Sequence, residues 1–367
     1  MSARENTLRS GQALGQAVVV SLLAIALGGG FVACANMRVQ PGDLPGEPIA
    51  LLYWEDKAAQ KRTETFGKVS EAPPLPKSEH DPARQDEAQV RAYLRADEIL
   101  QIRKDTGKYP GRLMLFHPRT EEMVAVEEAP LGAIPLAWSP DRERLLISSG
   151  HRGGKEQLYE IHLERRDLSP VTFGPAEHPR GTYAPDGTIY VQRIERVSAI
   201  GASANTLHVL EPGGRVGPAL AEGLPPGTVR VLPSQSLVVY EQVVPRPRRN
   251  GPTTWESYVA AAGLEGSPEK LLLRGREPVM TPDGQWIVFA SQSTAGYRLR
   301  RMRPDGTSRV PIGPGGTEER MPTVSPDGNY IAFVQTAYGR RRLTVRRFDG
   351  KDERVLITSG WTEYPVW

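Results

Sequence analysis

The chain has 367 residues and is close to charge balance, with 46 Lys and Arg against 43 Asp and Glu. No long basic segment interleaved with aromatics occurs, which speaks against a nucleic-acid partner. Glycine (37) and proline (33) are abundant, as in chains with many tight turns between short strands. A single cysteine excludes an intramolecular disulfide framework, so stability has to come from packing and from closure of the fold.

Arg4 and Arg9 precede an apolar run from Ala13 to Ala33 whose only polar side chains are Gln16 and Ser21. This pattern predicts a signal peptide or membrane anchor over residues 1–33 and an exported chain, in the periplasm or cell envelope. The run ends in Phe31-Val32-Ala33-Cys34, which resembles the lipobox of bacterial lipoproteins. That resemblance implies Cys34 as the lipidation site and first mature residue, although Phe31 stands where an aliphatic residue is usual. Two other readings stay open: cleavage at Ala33-Cys34-Ala35, or an uncleaved span of about 20 residues.

The remaining residues, 34–367, read as one domain. Ile49 to Trp54 is an apolar strand, and Arg112 to Phe116 and Met123 to Val126 continue its sheet. Between them lies an insertion, residues 57–109. It opens proline-rich and then predicts a helix from Asp81, with Pro82 in the first turn and an apolar stripe at Ala92, Tyr93, Ala96, Ile99 and Leu100. This helix packs on the scaffold, or serves as a lid or docking element.

From Ile134 onward one unit recurs. It is a strand, a turn such as Ser139-Pro140-Asp141-Arg142, an apolar strand, then third and fourth strands. The turn returns as Ala184-Pro185-Asp186-Gly187, Thr281-Pro282-Asp283-Gly284 and Ser325-Pro326-Asp327-Gly328. Its prolines lie 45, 97 and 44 residues apart, and the double gap holds a degenerate copy at Val231-Leu232-Pro233-Ser234. Ser or Thr first, Pro second, Asp third and Gly fourth is favourable type I turn chemistry. Third strands are predicted at Gln157–Leu163, Leu207–Leu210, Trp255–Ala260, Tyr297–Met302 and Leu343–Arg347. Fourth strands are predicted at Pro170–Phe173 and Arg354–Ile357. A period near 45 matches four-stranded propeller blades.

The first sheet lacks an innermost strand, and Tyr364-Pro365-Val366-Trp367 matches Ile134-Pro135-Leu136-Ala137-Trp138. The prediction is an all-β, six-bladed propeller closed by its C-terminal strand pairing with the N-terminal blade. Such closure removes exposed sheet edges.

The repeated Ser-Pro-Asp-Gly turn, the Ile331-Ala332-Phe333 strand and the later Phe348-Asp349-Gly350 turn resemble the propeller repeats of the TolB family. The resemblance runs from about residue 41 to the end. It implies a six-bladed, export-targeted, non-enzymatic protein that binds other proteins; a monomer with envelope proteins as partners is expected. TolB itself carries an α/β domain before its propeller; this chain does not show one, which argues against a role in the Tol–Pal system.

Arginines concentrate on the last two blades at Arg298, Arg300, Arg301, Arg303, Arg340, Arg341, Arg342, Arg346 and Arg347, and the loop Arg246-Pro247-Arg248-Arg249 adds to them. Arg298, Arg300, Arg340, Arg341 and Arg342 are the candidate contacts for an acidic partner, a protein, lipid headgroup or anionic glycan. Glu318, Glu319, Asp352 and Glu353 stand nearby to neutralise part of the run, and a salt-bridged surface is the simpler reading. No G-x-S-x-G elbow occurs, and Gly201-Ala202-Ser203-Ala204-Asn205 fails at its last position. The six histidines show no paired ligand spacing. No catalytic residue, metal ligand or cofactor is predicted. The rival readings are a hydrolase or lactonase working in the central channel, and a binder of an anionic envelope polymer.

Overall fold

A computed structural model describes residues 38–55, 111–152, 154–196, 203–211, 214–222, 229–232, 237–248, 251–263, 270–294 and 296–367. The predicted signal, Cys34 and the helix from Asp81 lie outside the described residues. A 3-10 turn at Pro41–Asp43 leads into the first blade, made of β1 (Ile49–Trp54), β2 (Arg112–His117) and β3 (Glu122–Ala125). Blade 2 holds β4 (Ile134–Trp138), β5 (Arg144–Ser149), β6 (Gln157–His162) and β7 (Asp167–Pro170). Blade 3 holds β8 (Glu177–Tyr183), β9 (Ile189–Arg196), β10 (Ser203–Glu211) and β11 (Arg215–Glu222).

Blade 4 comprises β12 (Val229–Leu232), β13 (Leu237–Arg248), β14 (Gly251–Gly263) and β15 (Lys270–Arg274). Blade 5 comprises β16 (Arg276–Met280), β17 (Ile287–Ser293), β18 (Gly296–Met302) and β19 (Val310–Pro311). Blade 6 comprises β20 (Glu318–Val324), β21 (Tyr330–Ala337), β22 (Arg340–Arg347) and β23 (Glu353–Ile357). The last strand, β24 (Trp361–Val366), joins blade 1 in the order β24-β1-β2-β3, so six four-stranded sheets form the ring.

Closure is as predicted. Ala50 pairs with Val366 and Trp54 with Trp361. Trp367 is only 6% exposed although it is the last residue. Its Nε1–H donates to the Glu47 carbonyl at 3.1 Å and its backbone N–H to Thr323 Oγ1 at 3.0 Å. These bonds, with burial among Val39, Leu44, Ile49 and Leu343, override the fraying expected of a chain end.

The turn sequence recurs because each residue has work in it. Ser325 Oγ donates to Asp327 Oδ1 (2.6 Å) and accepts the Tyr330 N–H (2.9 Å), while Asp327 accepts the Asn329 N–H (3.0 Å). Thr281 with Asp283 and Ser139 with Asp141 repeat the arrangement. The fourth position is left-handed, with φ of 74° at Gly328 and 68° at Gly284, which glycine adopts without strain. Arg142 holds φ 64° there in blade 2, and its guanidinium lies 4.6 Å from the centre of the Trp138 ring.

Two predictions shift. The fourth strand of blade 2 is Asp167–Pro170 rather than Pro170–Phe173, because a tight turn with Arg166 at φ 54° starts the pairing earlier. Arg246 to Arg248 is strand rather than loop: β13 and β14 stay paired out to Arg248 and Gly251. Pro245 and Pro247 are tolerated because β12 and β15 flank this hairpin only as far as Tyr240 and Tyr258.

Candidate functional site: the channel and the hairpin face

Antiparallel meandering gives the ring two unlike faces. The Pro-Asp turns and the turns between third and fourth strands lie on one, here the turn face. Hairpins between second and third strands, and blade-to-blade connections, lie on the other, the hairpin face. Tyr53 pairs with Arg112, so the two residues that flank the 57–109 segment, Trp54 and Arg112, lie at the hairpin face. The β13–β14 ribbon projects from the same side.

The innermost strands line a central space with Pro135, Pro278, Pro322, Pro365, Arg180 and Tyr364 among its walls. Where the register slips in β16, β20 and β24, the residue before each proline is left-handed: Glu277 (φ 55°), Met321 (φ 51°) and Tyr364 (φ 52°). These bulges turn carboxylates into the seams between blades. Glu277 accepts from Arg320 at 3.1 and 2.6 Å and from the Met321 N–H at 2.7 Å. Glu241 accepts from Arg276 Nε at 2.9 Å and from the Glu277 N–H at 3.2 Å. Glu363 pairs with Arg341. One Glu–Arg pair thus closes each of the seams 4/5, 5/6 and 6/1.

Burial disfavours the Glu277 carboxylate, but Arg320 and Arg276, with the Met321 N–H, outweigh it and hold its pKa below the ordinary range. A buried pair of this kind is costly to break by removing one member. Glu241, Glu277 and Glu363 are therefore committed to arginines. Among the described residues no group of three or more His, Cys, Asp or Glu is placed to hold a metal.

Arg298 is half-buried in β18 and donates to the Gly313 carbonyl at 3.1 Å. Arg300 lies deeper in the same strand, opposite Phe289, with its buried Nε lacking a hydrogen-bond partner. Arg340 is exposed at the β21–β22 hairpin. Arg341 lies 5.0 Å from the centre of the Trp361 ring as well as pairing with Glu363. Arg342 is half-buried, again with a buried, unpartnered Nε. The fold thus brings Arg298, Arg340, Arg341 and Arg342 toward the hairpin face and leaves Arg300 mid-strand.

The rest of the run is dispersed. Arg301 and Arg303 lie over the Trp286 ring beside the blade 5 turn, 4.8 and 4.1 Å from its centre. Arg346 is fully buried, bonded to Glu319 (2.6 Å), Glu353 (2.6 Å) and the Ile312 carbonyl (2.8 Å). The predicted neutralisation by Glu319 and Glu353 falls on this residue. Sequence reading missed Glu241, Glu277 and Glu363. A signal was present for two of them, since a glutamate recurs one or two places before the inner-strand proline in Glu277-Pro278 and Glu363-Tyr364-Pro365.

The architecture defines a six-bladed β-propeller. No family model matches the chain. TolB from Acinetobacter baumannii superposes with a TM-score of 0.56 at 15% identity, over 88% of this chain and 68% of that one. A TolB-type protein from Agrobacterium tumefaciens gives 0.51 at 23% identity, over 66% and 87%. The uncharacterized protein Atu1656 of Agrobacterium fabrum is 27% identical over 220 residues, 57% of this chain and 69% of that protein. The fold is that of the TolB-type propellers.

Proposed function

We propose that this chain is a non-catalytic binding platform of the cell envelope, exported and held at a membrane through lipid on Cys34. The observation that carries the reading is the crowding of one face. The channel mouth, the unflanked β13–β14 ribbon, Arg340, and Trp54 and Arg112 on either side of the 57–109 segment all lie there. A rigid ring bearing projecting elements on one side is a common way to present a binding surface. Proteins are the expected occupants, with Arg298, Arg340, Arg341 and Arg342 favouring an acidic one through a screened field.

The test is cross-linking of the full chain in envelope membranes, compared with a variant whose 246–251 segment is replaced by Asn-Gly. Cross-links mapping to the hairpin face, and lost in the variant, are expected. Cross-links unaffected by the change, or turnover of a lactone, peptide or polysaccharide abolished by Arg180→Ala, would overturn the platform reading. For the anchor, intact mass should show lipid on the wild type and none after Cys34→Ser. A lipid-bearing serine variant would remove Cys34 from the account.

A further inference from the structure

The path of residues 38–48 fixes which way the ring stands. This segment runs across the turn face between blades 6 and 1, and Val39 and Leu44 are buried there. Arg119 Nε donates to the Leu44 carbonyl at 2.6 Å, Trp367 Nε1 to Glu47 and Arg142 to the Pro48 carbonyl at 3.3 Å. Arg38 and Gln40 lie beside Glu353 and Arg354 at the start of β23, on the same face. Cys34 precedes Arg38 by four residues. Four residues span at most about 14 Å. Crossing the ring to the other face means passing the eight-residue β21. A strand of that length is roughly 25 Å long. The tether is too short.

We propose that the anchored propeller stands with its turn face toward the bilayer and its hairpin face turned away. This rests on the anchored reading above. The distribution of exposed apolar side chains fits it. Leu131 (56% exposed), Phe173 (64%) and Tyr338 (96%) all lie on the hairpin face, in connections or a hairpin tip. The other exposed large apolar residues, Val124 and Val310, are on outermost strands. Among the described residues none lies at a Pro-Asp turn, where Asp141, Asp186, Asp283 and Asp327 are exposed instead. The docking face is thereby the membrane-distal one, which leaves room for a partner away from the lipid.

The two ends of one blade provide the measurement. Lys351→Cys places a single free thiol on the turn face of blade 6, and Tyr338→Cys places one on its hairpin face, Cys34 being occupied by lipid. Each lipid-bearing full chain is labelled with a donor dye and incorporated in phosphatidylethanolamine–phosphatidylglycerol vesicles carrying an acceptor lipid. Across a separation of roughly 25 Å, energy transfer from position 351 is expected to exceed that from 338 by about twofold or more. Equal or reversed transfer, with lipid on Cys34 confirmed by mass and the protein floating with the vesicles, overturns the orientation alone. A chain that carries no lipid and does not float overturns the anchor and the orientation with it.

Discussion

Blades 5 and 6 begin their turns with a hydroxyl, Thr281 or Ser325, whereas blade 3 has Ala184 in that place. The blade 3 turn still closes, with the Gly187 N–H donating to the Ala184 carbonyl at 2.9 Å and Asp186 accepting from the Thr188 N–H at 2.9 Å. The seams differ in the same way. Seams 5/6 and 6/1 carry buried Glu–Arg pairs. Seam 2/3 has no such pair at its hairpin-face end: Gln157 Oε1 accepts from Thr172 (2.8 Å) and faces His178 Nδ1 (3.0 Å), while nearer the turn face Glu160 accepts from the Tyr183 hydroxyl. One backbone architecture thus accepts either polar chemistry, because most of its buried polar groups find a partner.

The sharpest way to break this picture is to remove the part both kinds of blade depend on. Deleting Trp361 to Trp367 takes out β24 and bares the edge of β1. Losing the buried Trp367 alone should cost about 3–5 kcal/mol. A markedly lower melting temperature or aggregation through the open edge is expected. A truncated chain that melts like the intact one would refute closure as the source of stability.

Next comes the buried charge cluster of blade 6. Arg346→Met leaves Glu319 and Glu353 without their guanidinium and should cost about 3–5 kcal/mol in denaturant unfolding. The double change Arg346→Met with Glu319→Gln should recover part of that loss. No recovery would mean that the arginine acts through packing against Phe333 rather than through charge.

The two seams should also titrate differently. Burial, then Arg193 and His208, lowers the His178 pKa from 6.5 to about 4. A depressed histidine contributes stability that is present above the unfolded value and lost as pH falls. Seam 2/3 should therefore weaken between pH 6.5 and about 4, by up to roughly 3 kcal/mol. The Glu277 carboxyl, also depressed, contributes above 4.5 and loses that contribution only in more acid solution. Stability measured against pH should lose the first phase, and keep the second, in His178→Gln. A first phase that survives the substitution would assign it elsewhere.

The smallest effect sits at the turns. Ser325→Ala gives up the bonds to Asp327 and the Tyr330 N–H and should cost about 1 kcal/mol. Ala184→Ser in blade 3 should gain less than about 1 kcal/mol if the hydroxyl settles as its counterparts do. Equal and negligible changes in both would show the hydroxyl to be dispensable.

Fold and site were unequally legible in the sequence. Strand alternation, turn chemistry and the match of Tyr364-Pro365-Val366-Trp367 to Ile134-Pro135-Leu136-Ala137-Trp138 are local patterns, and they led to the six blades and the closing strand. The ribbon was obscured because Pro245, Pro247 and Arg249 resemble loop composition, and only its lack of flanking strands permits them. Arg346 looked like one more arginine of a surface run. Its partner Glu319 lies two strands away in β20, a non-local pairing with no sequence period. Arg341 met Glu363 in the same way, across the seam that joins the two ends of the chain.

The closing strand also sets a clock. β24 leaves the ribosome long after its partner β1, and Ala50 waits for Val366. At about 5–20 residues per second, a chain of this length takes on the order of 20–70 s to synthesise. Throughout that interval the ring is open and β1 lacks its inner neighbour. Long-range pairing of this kind is slow because distant segments must meet before any contact rewards them. A propeller latched by a strand synthesised so late is consequently kept from premature closure.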